Sequence, residues 1–399
     1  MGILRHLGAS TAALSAALVL AAPPVHASRP GPAAPPGDPW VPVPVSAGRA
    51  ALGETPGFNG PVRAIAHRGS RVYVGGEFTR AIDSTGTKVR RNAAAFDART
   101  GRLLKWNPRT DGRVLELLVV GQTVYLAGEF DRVRGHSRPK VARVSGHGKG
   151  RVLTFRHRID GTVTSMSALG KRLYVGGSFS TVDRRPRGQL AAFNGRGRLT
   201  PWTPLARKGA VLDVVATTSG VYLAGGFHHV NGVAGSRRLA LVDRTRGTLK
   251  GWFDPPVDKP ILEIAVTGSS VLAAAGGTGG GYVAAFARVG GAQSWLRRFD
   301  GDVAALALHH GNIHVGGHFD AICDVDHADP VDGDCLGSHQ VRHKLAALST
   351  VGALLPWNPG ANSVRGVMAV HSLGSLGVAV GGDFTIAGGR PRERIAILP

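Results

Sequence analysis

The sequence is poor in cysteine, in acidic residues and in long apolar runs, and each shortage excludes a class of protein. Only two of the 399 residues are cysteine. That is too few for a disulfide-dense scaffold or for a zinc module held by thiolates. Beyond the first 22 residues no apolar stretch is long enough to cross a bilayer, so we expect no membrane span in the mature chain. The 58 glycines do not recur at every third position, which excludes a collagen-like chain.

Acidic residues are outnumbered, and the excess of positive charge points to anionic partners. There are 48 Lys and Arg residues against 26 Asp and Glu, for a formal net charge of +22. Most of the basic residues are Arg, and they are scattered along the chain as pairs such as Arg90-Arg91 and Arg297-Arg298. Neither a helical DNA-binding motif nor an RNA-binding motif accompanies them, so we do not expect a nucleic acid partner.

The first residues have the pattern of a secretory signal. Met1–His6 carries one basic residue, Leu7–Ala22 carries no charge, and Val25-His26-Ala27 is a small-x-small cleavage site. We therefore predict a signal peptide over 1–27 and a protein that is secreted or associated with the cell envelope; an N-terminal membrane anchor is the alternative. Residues 28–42 are rich in proline and predict an extended linker.

One short pattern recurs seven times and organises the rest of the chain. It is an apolar strand that ends in a pair of small residues. In most copies one variable residue and then a phenylalanine follow this pair. The copies begin at Val72, Val124, Leu173, Val221, Val271, Ile313 and Val378. An apolar run precedes each copy, and an alternating run such as Leu190-Ala191-Ala192-Phe193 follows a polar loop. Each unit of about 50 residues then holds four short strands, which is typical of a propeller blade.

These repeats predict an all-β fold: a seven-bladed β-propeller of four-stranded blades over residues 43–399. The seventh unit stops after Ile395-Ala396-Ile397-Leu398, its third strand. The stretch Val41–Gly53 precedes the first unit and would supply the missing outermost strand. An N-terminal strand would then close the last blade and cover its edge.

The repeat also resembles a known group of proteins. Unit 1 carries Gly75-Gly76, then Phe96-Asp97, Thr100-Gly101 and Trp106-Asn107-Pro108. This order resembles secreted bacterial propellers built from delta-60-type repeats and, more distantly, kelch repeats. The resemblance covers nearly all of residues 55–399 and implies the fold without implying catalytic residues. The copper oxidase known on a kelch propeller needs a tyrosine cross-linked to a cysteine, and the cysteines here lie together in one loop, so we do not expect copper.

Candidate binding residues follow from the topology, because the loops that lead into the innermost strands share one face with the loops that follow the second strands. Polar side chains on that face form the predicted set: Glu77, Asp111, Glu129, Asp160, His228, His229, Asp300, His318 and Asp383. Two interpretations fit them. They line the mouth of an axial channel, or they belong to ordinary turns and bond neighbouring loop amides. The paired histidines also fit an incidental surface position.

The sixth unit contains an acidic insertion that holds both cysteines. In a secreted chain Cys323 and Cys335 predict a disulfide within the loop. The same loop carries six aspartates: Asp320, Asp324, Asp326, Asp329, Asp332 and Asp334. Calcium takes six to eight oxygen ligands and fits such a set. A solvated acidic loop, or one that docks on arginine side chains, is the alternative, because the sequence lacks the EF-hand pattern.

No recognisable nucleophile motif or phosphate-binding loop is present. We therefore predict a monomeric binding or scaffold module that recognises a protein, a glycan or an anionic cell-wall polymer through its loop face. No cofactor is expected apart from the calcium considered above. The alternative is an extracellular polysaccharide hydrolase or lyase that uses acids at the axial channel, such as Asp111, Asp160, Asp300 or Glu77.

Overall fold

The structure, a computed structural model, describes residues 54–253, 259–324 and 335–399. Regular structure in these ranges is almost entirely β-strand, with one 3-10 turn at Gly374–Leu376, which confirms the predicted all-β class. A helix long and apolar enough to cross a membrane is absent from the described ranges. The predicted signal peptide (1–27) and linker (28–42) lie outside them.

Seven antiparallel sheets with the same strand order make up the described chain, and we number them units 1 to 7. The first strands are β2 (Val62–Arg68), β7 (Val114–Val120), β12 (Thr162–Leu169), β18 (Val211–Ala216), β23 (Ile261–Val266), β27 (Val303–His309) and β32 (Val367–Ser372). The second strands are β3 (Arg71–Gly76), β8 (Thr123–Gly128), β13 (Arg172–Ser178), β19 (Val221–Gly225), β24 (Ser270–Ala275), β28 (Asn312–Gly317) and β33 (Val378–Gly382). The third strands are β6 (Ala93–Asp97), β11 (Val141–Ser145), β16 (Leu190–Phe193), β21 (Leu239–Val242), β25 (Gly281–Ala287), β31 (Leu345–Leu348) and β36 (Ile395–Leu398).

Within the described ranges the fourth strand is regular in two units: β22 (Leu249–Trp252) and β26 (Gln293–Phe299). In four other units it is reduced to one isolated bridge, such as Phe96↔Leu103 in unit 1 and Leu348↔Leu354 in unit 6. The Pro and Gly residues in these segments limit ladder pairing. The stretch Val41–Gly53, predicted to complete unit 7, lies outside the described residues.

Short hairpins follow the second strands and define what we call the loop face. Their strands, with two short partners, are β1 (Gly57–Phe58), β4 (Arg80–Asp83), β5 (Gly86–Val89), β9 (Arg132–Val133), β10 (His136–Ser137), β14 (Thr181–Val182), β15 (Arg185–Pro186), β17 (Ala206–Arg207), β20 (His229–Val230), β29 (Ala321–Cys323), β30 (His339–Val341), β34 (Ile386–Ala387) and β35 (Arg390–Pro391). The segment leading into a first strand pairs with the hairpin of its own unit, as β1 does with β4 and β17 with β20.

The core is divided into clusters that each join two neighbouring units. Tyr73 and Trp106 of unit 1, for example, are buried with Val114 and Leu117 of unit 2. The Trp106 indole donates a 2.9 Å hydrogen bond to Ser145 O of unit 2, and the Trp202 indole repeats this contact between units 3 and 4. The strand aromatics therefore pack between units.

Units 7 and 1 share a cluster of the same kind. Val62 and Ile65 of unit 1 are buried with Ala379 and Ile395 of unit 7. The first described residues also contact the last strand, because Thr55 Oγ1 donates a 3.0 Å hydrogen bond to Ile395 O.

Candidate functional site

Five positions on the loop face, among them the predicted Asp111, Asp160 and Asp300, use their side chains to hold their own loops. In each case one side-chain oxygen accepts two backbone N–H groups from the segment that follows the second strand, at 2.6–2.9 Å. The residues are Asn59, Asp111, Asp160, Asp300 and Asn362. These bonds join two loops that lie 20 to 24 residues apart in sequence, and they favour the interpretation in which Asp111, Asp160 and Asp300 bond neighbouring loop amides.

The environments of these aspartates differ. Burial raises the pKa of Asp300, although the N–H groups of Ala321 and Asp320 oppose that shift. At Asp160 burial acts in the same direction, but hydrogen bonds from Ser180 and the neighbouring amides outweigh it and lower the pKa.

Glu77 and Glu129 are brought together by an arginine between them. Arg113 Nε lies 2.6 Å from Glu129 Oε2, and one of its terminal nitrogens lies 3.7 Å from Glu77 Oε1. Arg63 also donates to Glu77. The hydrogen bond that Arg113 donates to Glu129 raises the pKa of Arg113. Because both carboxylates are neutralised by arginine, this pair resembles an ion-pair network more than an acid–base couple.

The remaining predicted residues are scattered over the loop face. His228 and His318 are exposed, and His229 is half-buried. Asp383 accepts a hydrogen bond from Ser363 Oγ in its own unit. The structure therefore does not gather the predicted set into one site.

Two of the six aspartates of the acidic insertion are described. Asp320 bonds His343 Nδ1 at 2.9 Å and Lys344 Nζ at 2.7 Å, and Asp324 accepts from Gln340. Cys323 and Cys335 form the predicted disulfide. Asp326, Asp329, Asp332 and Asp334, on which the calcium prediction also depends, lie outside the described residues. Within the described ranges, no three acidic, histidine or cysteine side chains form a group that could hold a metal ion.

Part of the arginine excess has a structural role. Arg90, Arg187 and Arg342 occupy the same position before the third strand. Each donates one terminal N–H to the preceding carbonyl and another to a fourth-strand carbonyl, at 2.7–3.4 Å. Burial lowers the pKa of all three. These guanidinium groups tie the outer strands together.

Other arginines on the loop face remain exposed and have no hydrogen-bond or ion-pair partner for their side chains among the described residues. They lie in the hairpins or in the segments that lead into the first strands: Arg80, Arg91, Arg109, Arg158, Arg184, Arg185, Arg207, Arg365 and Arg390. Several acids of the same face are already paired, as Asp131 is with Lys140 and Asp83 with Lys88. The face therefore carries unpaired positive charge. A cleft of about 430 Å³ between units 1 and 2 is lined by Arg80 and Arg91.

A second cavity, of about 450 Å³, lies along the first strands of the units. Each first strand contains a β-bulge near its start, which shifts the register by one residue. The residues that follow the bulge occupy the same position in units 1 to 7: Ala64, Glu116, Ser165, Asp213, Glu263, Ala305 and Ala369. Polar side chains thus stand on four consecutive units, which we call the acidic arc (Glu116, Ser165, Asp213 and Glu263), and alanines stand on the other three.

Three members of the acidic arc bond the first strand of the next unit. Ser165 Oγ accepts from Val214 N at 3.1 Å, Asp213 Oδ2 from Ile264 N at 2.9 Å, and Glu263 Oε2 from Leu306 N at 2.9 Å. Asp213 Oδ1 also accepts from Ser165 Oγ at 2.7 Å. These bonds satisfy N–H groups of the innermost strands, which have no further strand beside them.

The three acids of the arc share a strongly perturbed environment. Burial raises the pKa of Asp213. It raises the pKa of Glu116 and Glu263 well above the usual glutamate value, and the charge of Asp213 adds to both shifts. Enclosure and mutual repulsion therefore favour the neutral carboxyl forms.

Two histidines line the same cavity. His67 Nδ1 and His371 Nε2 lie 2.9 Å apart. Burial, with a smaller contribution from His67, lowers the pKa of His371 to about 4, and burial also lowers the pKa of His67. The pair is therefore held neutral, with one ring donating to the other.

The acidic arc was missed in the sequence, although a signal for it is present. Glu116, Asp213 and Glu263 each interrupt an apolar run at the same place, in Val-Leu-Glu-Leu, Val-Leu-Asp-Val and Ile-Leu-Glu-Ile. The repeat is defined by the glycines of the second strands. An alignment of the first strands on these apolar runs would have placed all three acids at the same repeat position.

Comparison with solved structures identifies the fold. The chain is similar to the WD40 β-propeller domain of Doa1, with a TM-score of 0.52 and 12% identity over 83% of this chain and 93% of that one. It is similar to the computationally designed Ika8 protein, with a TM-score of 0.52 and 13% identity over 87% of this chain and 99% of that one. Comparisons with protein-family models and with curated proteins found no match. At such low identity the likeness concerns the fold alone, and it shows that the chain folds as a β-propeller.

Proposed function

We propose that this chain is a secreted, seven-bladed β-propeller of the delta-60-like type that binds an anionic cell-envelope polymer through its loop face. Loops held on a rigid scaffold commonly carry binding residues, and the hairpins of the loop face are such loops. The seven units, and the cluster in which Val62 of unit 1 is buried with Ala379 of unit 7, support a closed ring. The disulfide between Cys323 and Cys335 supports an oxidising compartment.

The observation that carries the proposal is the unpaired positive charge of the loop face. Arg80 and Arg91 line the cleft between units 1 and 2, and Arg109 lies next to it in sequence, before Asp111. No described residue is an ion-pair or hydrogen-bond partner of these three side chains. A polymer with regularly spaced phosphates or carboxylates would place anions against several such guanidinium groups at once.

The enzyme alternative has less support on this face. Asp111, Asp160 and Asp300 use carboxylate oxygens to hold loop amides, and Glu77 is paired with arginine. A general acid or base must be able to exchange a proton with its substrate, and these contacts compete with that exchange.

Binding to immobilised poly(glycerol phosphate), with neutral dextran as the control polymer, tests the proposal. The variant carries Arg80→Ala, Arg91→Ala and Arg109→Ala. The matched control carries Arg68→Ala, Arg99→Ala and Arg196→Ala, which remove the same charge from exposed positions away from the loop face.

We expect the loop-face variant to bind about tenfold more weakly, since each lost surface ion pair is worth about 0.2–1 kcal/mol. The control should bind as the wild type does, and binding should weaken with salt because exposed charges are screened. Equal loss of polymer binding in both triple variants would show that binding depends on net charge alone, and it would reject a loop-face site. Turnover of a polysaccharide panel by the wild type would favour the enzyme instead.

A further inference from the structure

Glu116 is the member of the acidic arc whose carboxylate has no described partner. Ser165, Asp213 and Glu263 each accept a hydrogen bond from a backbone N–H of the next unit. In each case the donor is the residue directly after the position that corresponds to the arc in that unit. The equivalent donor for Glu116 would be Met166 N, yet Glu116 accepts no hydrogen bond and forms no ion pair within the described residues. The side chain is enclosed by the surrounding strands, and the solvent contact it keeps is with the cavity.

Because Glu116 has no partner among the described residues, its carboxylate keeps only the hydration that the cavity provides. The cavity beside it is large enough for a small organic ligand, since pockets for such ligands begin at about 300 Å³. Between its polar groups the cavity wall includes the apolar side chains of Leu117, Leu212, Leu262 and Met368. A ligand for this space needs a group that satisfies carboxylates and a body that packs on apolar side chains.

The oxygen atoms that remain available indicate which cation fits. Both oxygens of Asp213 already accept hydrogen bonds from Val214 N, Ser165 Oγ and Ile264 N. One oxygen of Glu263 is taken by Leu306 N. A metal ion would need several free oxygens around one point, and no suitable group of three acidic or histidine side chains occurs in the described part of the chain. An ammonium group needs fewer acceptors and carries three donors of its own.

We propose that the axial cavity binds an organic ammonium ion with an apolar tail, whose charged head pairs with Glu116 beside Glu263 and Asp213. The alanines that line the opposite side of the cavity, Ala64, Ala304 and Ala369, leave room for the tail. The site is separate from the loop face and does not depend on the function proposed there.

Binding should release a proton. Burial, and then the charges of Asp213 and Glu263, raise the pKa of Glu116, so the free site favours the neutral acid. An ammonium ion placed against it favours the carboxylate, and the carboxyl proton then passes to the buffer. The other titratable groups that face the cavity are Arg63, His67 and His371. The two histidines have lowered pKa values, and a cation nearby would keep them neutral.

Titration calorimetry of the full mature protein with n-hexylamine near neutral pH tests the proposal, with 1-hexanol as the neutral ligand of similar shape. Repeating the titration in buffers of different ionisation enthalpy measures the proton release. The variant is Glu116→Gln, which keeps the shape and removes the charge. The matched control is Glu54→Gln, whose side chain is 91% exposed outside the cavity.

We expect hexylamine to bind at one site with release of up to one proton, and hexanol to bind at least tenfold more weakly. Glu116→Gln should lower the amine affinity at least tenfold and reduce the proton release, whereas Glu54→Gln should change neither. Equal binding of amine and alcohol, or amine binding unaffected by Glu116→Gln, would overturn the proposal. If Glu116→Gln does not fold, the wild type alone decides the test. The proposal is then overturned if the wild type binds no hexylamine, or if it binds hexylamine without releasing a proton.

The test also separates this site from the proposed function. The triple variant at Arg80, Arg91 and Arg109 should still bind hexylamine with unchanged affinity. Loss of polymer binding with retained amine binding would leave the axial site intact, and the reverse result would leave the loop-face proposal intact.

Discussion

Gly381 tests whether the units form a closed ring, because it is the glycine through which unit 7 meets unit 1. A Cβ atom at Gly381 would lie 2.7 Å from Val62 Cγ1 and 3.1 Å from Val62 O. Gly75 faces Val114 in the same way across units 1 and 2, at 2.6 Å. If the ring is closed in solution, Gly381→Ala should therefore cost as much stability as Gly75→Ala.

The magnitude follows from the crowding. Unstrained carbon–carbon contacts lie at about 3.5–4.0 Å, and an extra methyl in a well-packed core costs about 1–3 kcal/mol. Replacing glycine by alanine also restricts the unfolded chain, which returns about 0.4–1 kcal/mol. We expect a net loss of about 0.5–2 kcal/mol in the free energy of unfolding for Gly381→Ala.

Equilibrium unfolding in guanidinium, followed by tryptophan fluorescence, measures this loss. Gly268→Ala is the matched control, because a Cβ there meets nothing within 4 Å, and it should be neutral or slightly stabilising. Adding Val62→Ala to Gly381→Ala should recover part of the loss, since the crowded methyl is then removed, and the double-mutant cycle should show a coupling above 0.5 kcal/mol. Gly381→Ala that behaves like Gly268→Ala, without coupling to Val62, would refute the closed ring.

Three further predictions concern single positions. Arg184 has φ of 64° in the two-residue turn between β14 and β15, a conformation that glycine adopts without strain. Arg184→Gly should therefore raise the free energy of unfolding by about 0.5 kcal/mol. The control is Arg185→Gly in the adjoining strand, which should lower the free energy of unfolding. His371 has its pKa lowered to about 4; at this residue the unfolded chain binds more protons between pH 6.5 and 4, so the contribution of His371 to stability falls across that window as pH decreases. His371→Gln should flatten this fall by up to roughly 3 kcal/mol, and an equally steep fall in the variant would contradict the assignment. Replacing Cys323 and Cys335 by alanine should cost up to about 3 kcal/mol and make the melting temperature insensitive to reductant; a reductant effect that persists would exclude the disulfide as its source.

The repeat predicted the architecture because its signals are local. An apolar strand that ends in a Gly pair, as Val72–Gly76 does, reports both strand and turn, and seven copies at similar spacing report stacked sheets. The fourth strands were predicted less well. Leu103 and Leu354 alternate as strand residues do, yet each forms a single bridge, because the Gly and Pro residues in their segments limit ladder pairing.

The candidate site was predicted in part. The loop face, its turn aspartates and the Cys323–Cys335 pair can be identified from sequence, since turns and short-range cross-links depend on nearby residues. The acidic arc cannot be placed without the register. A bulge before Glu116, Asp213 and Glu263 turns these residues to one level, and a shift of one residue would send the side chain to the other face of its strand.

The net charge of the chain conceals two environments of opposite sign. Arginines such as Arg90 and Arg187 are held by outer-strand carbonyls and contribute to the fold, while exposed ones such as Arg91 leave positive charge on the loop face. The innermost strands have backbone N–H groups for which no further strand supplies an acceptor. Side-chain oxygens of one unit accept hydrogen bonds from these N–H groups in the next unit. Glu116 stands in that series without an N–H to accept. A carboxyl group at this position, facing the axial cavity beside the other two acids of the arc, is consistent with the ammonium ligand proposed for that cavity.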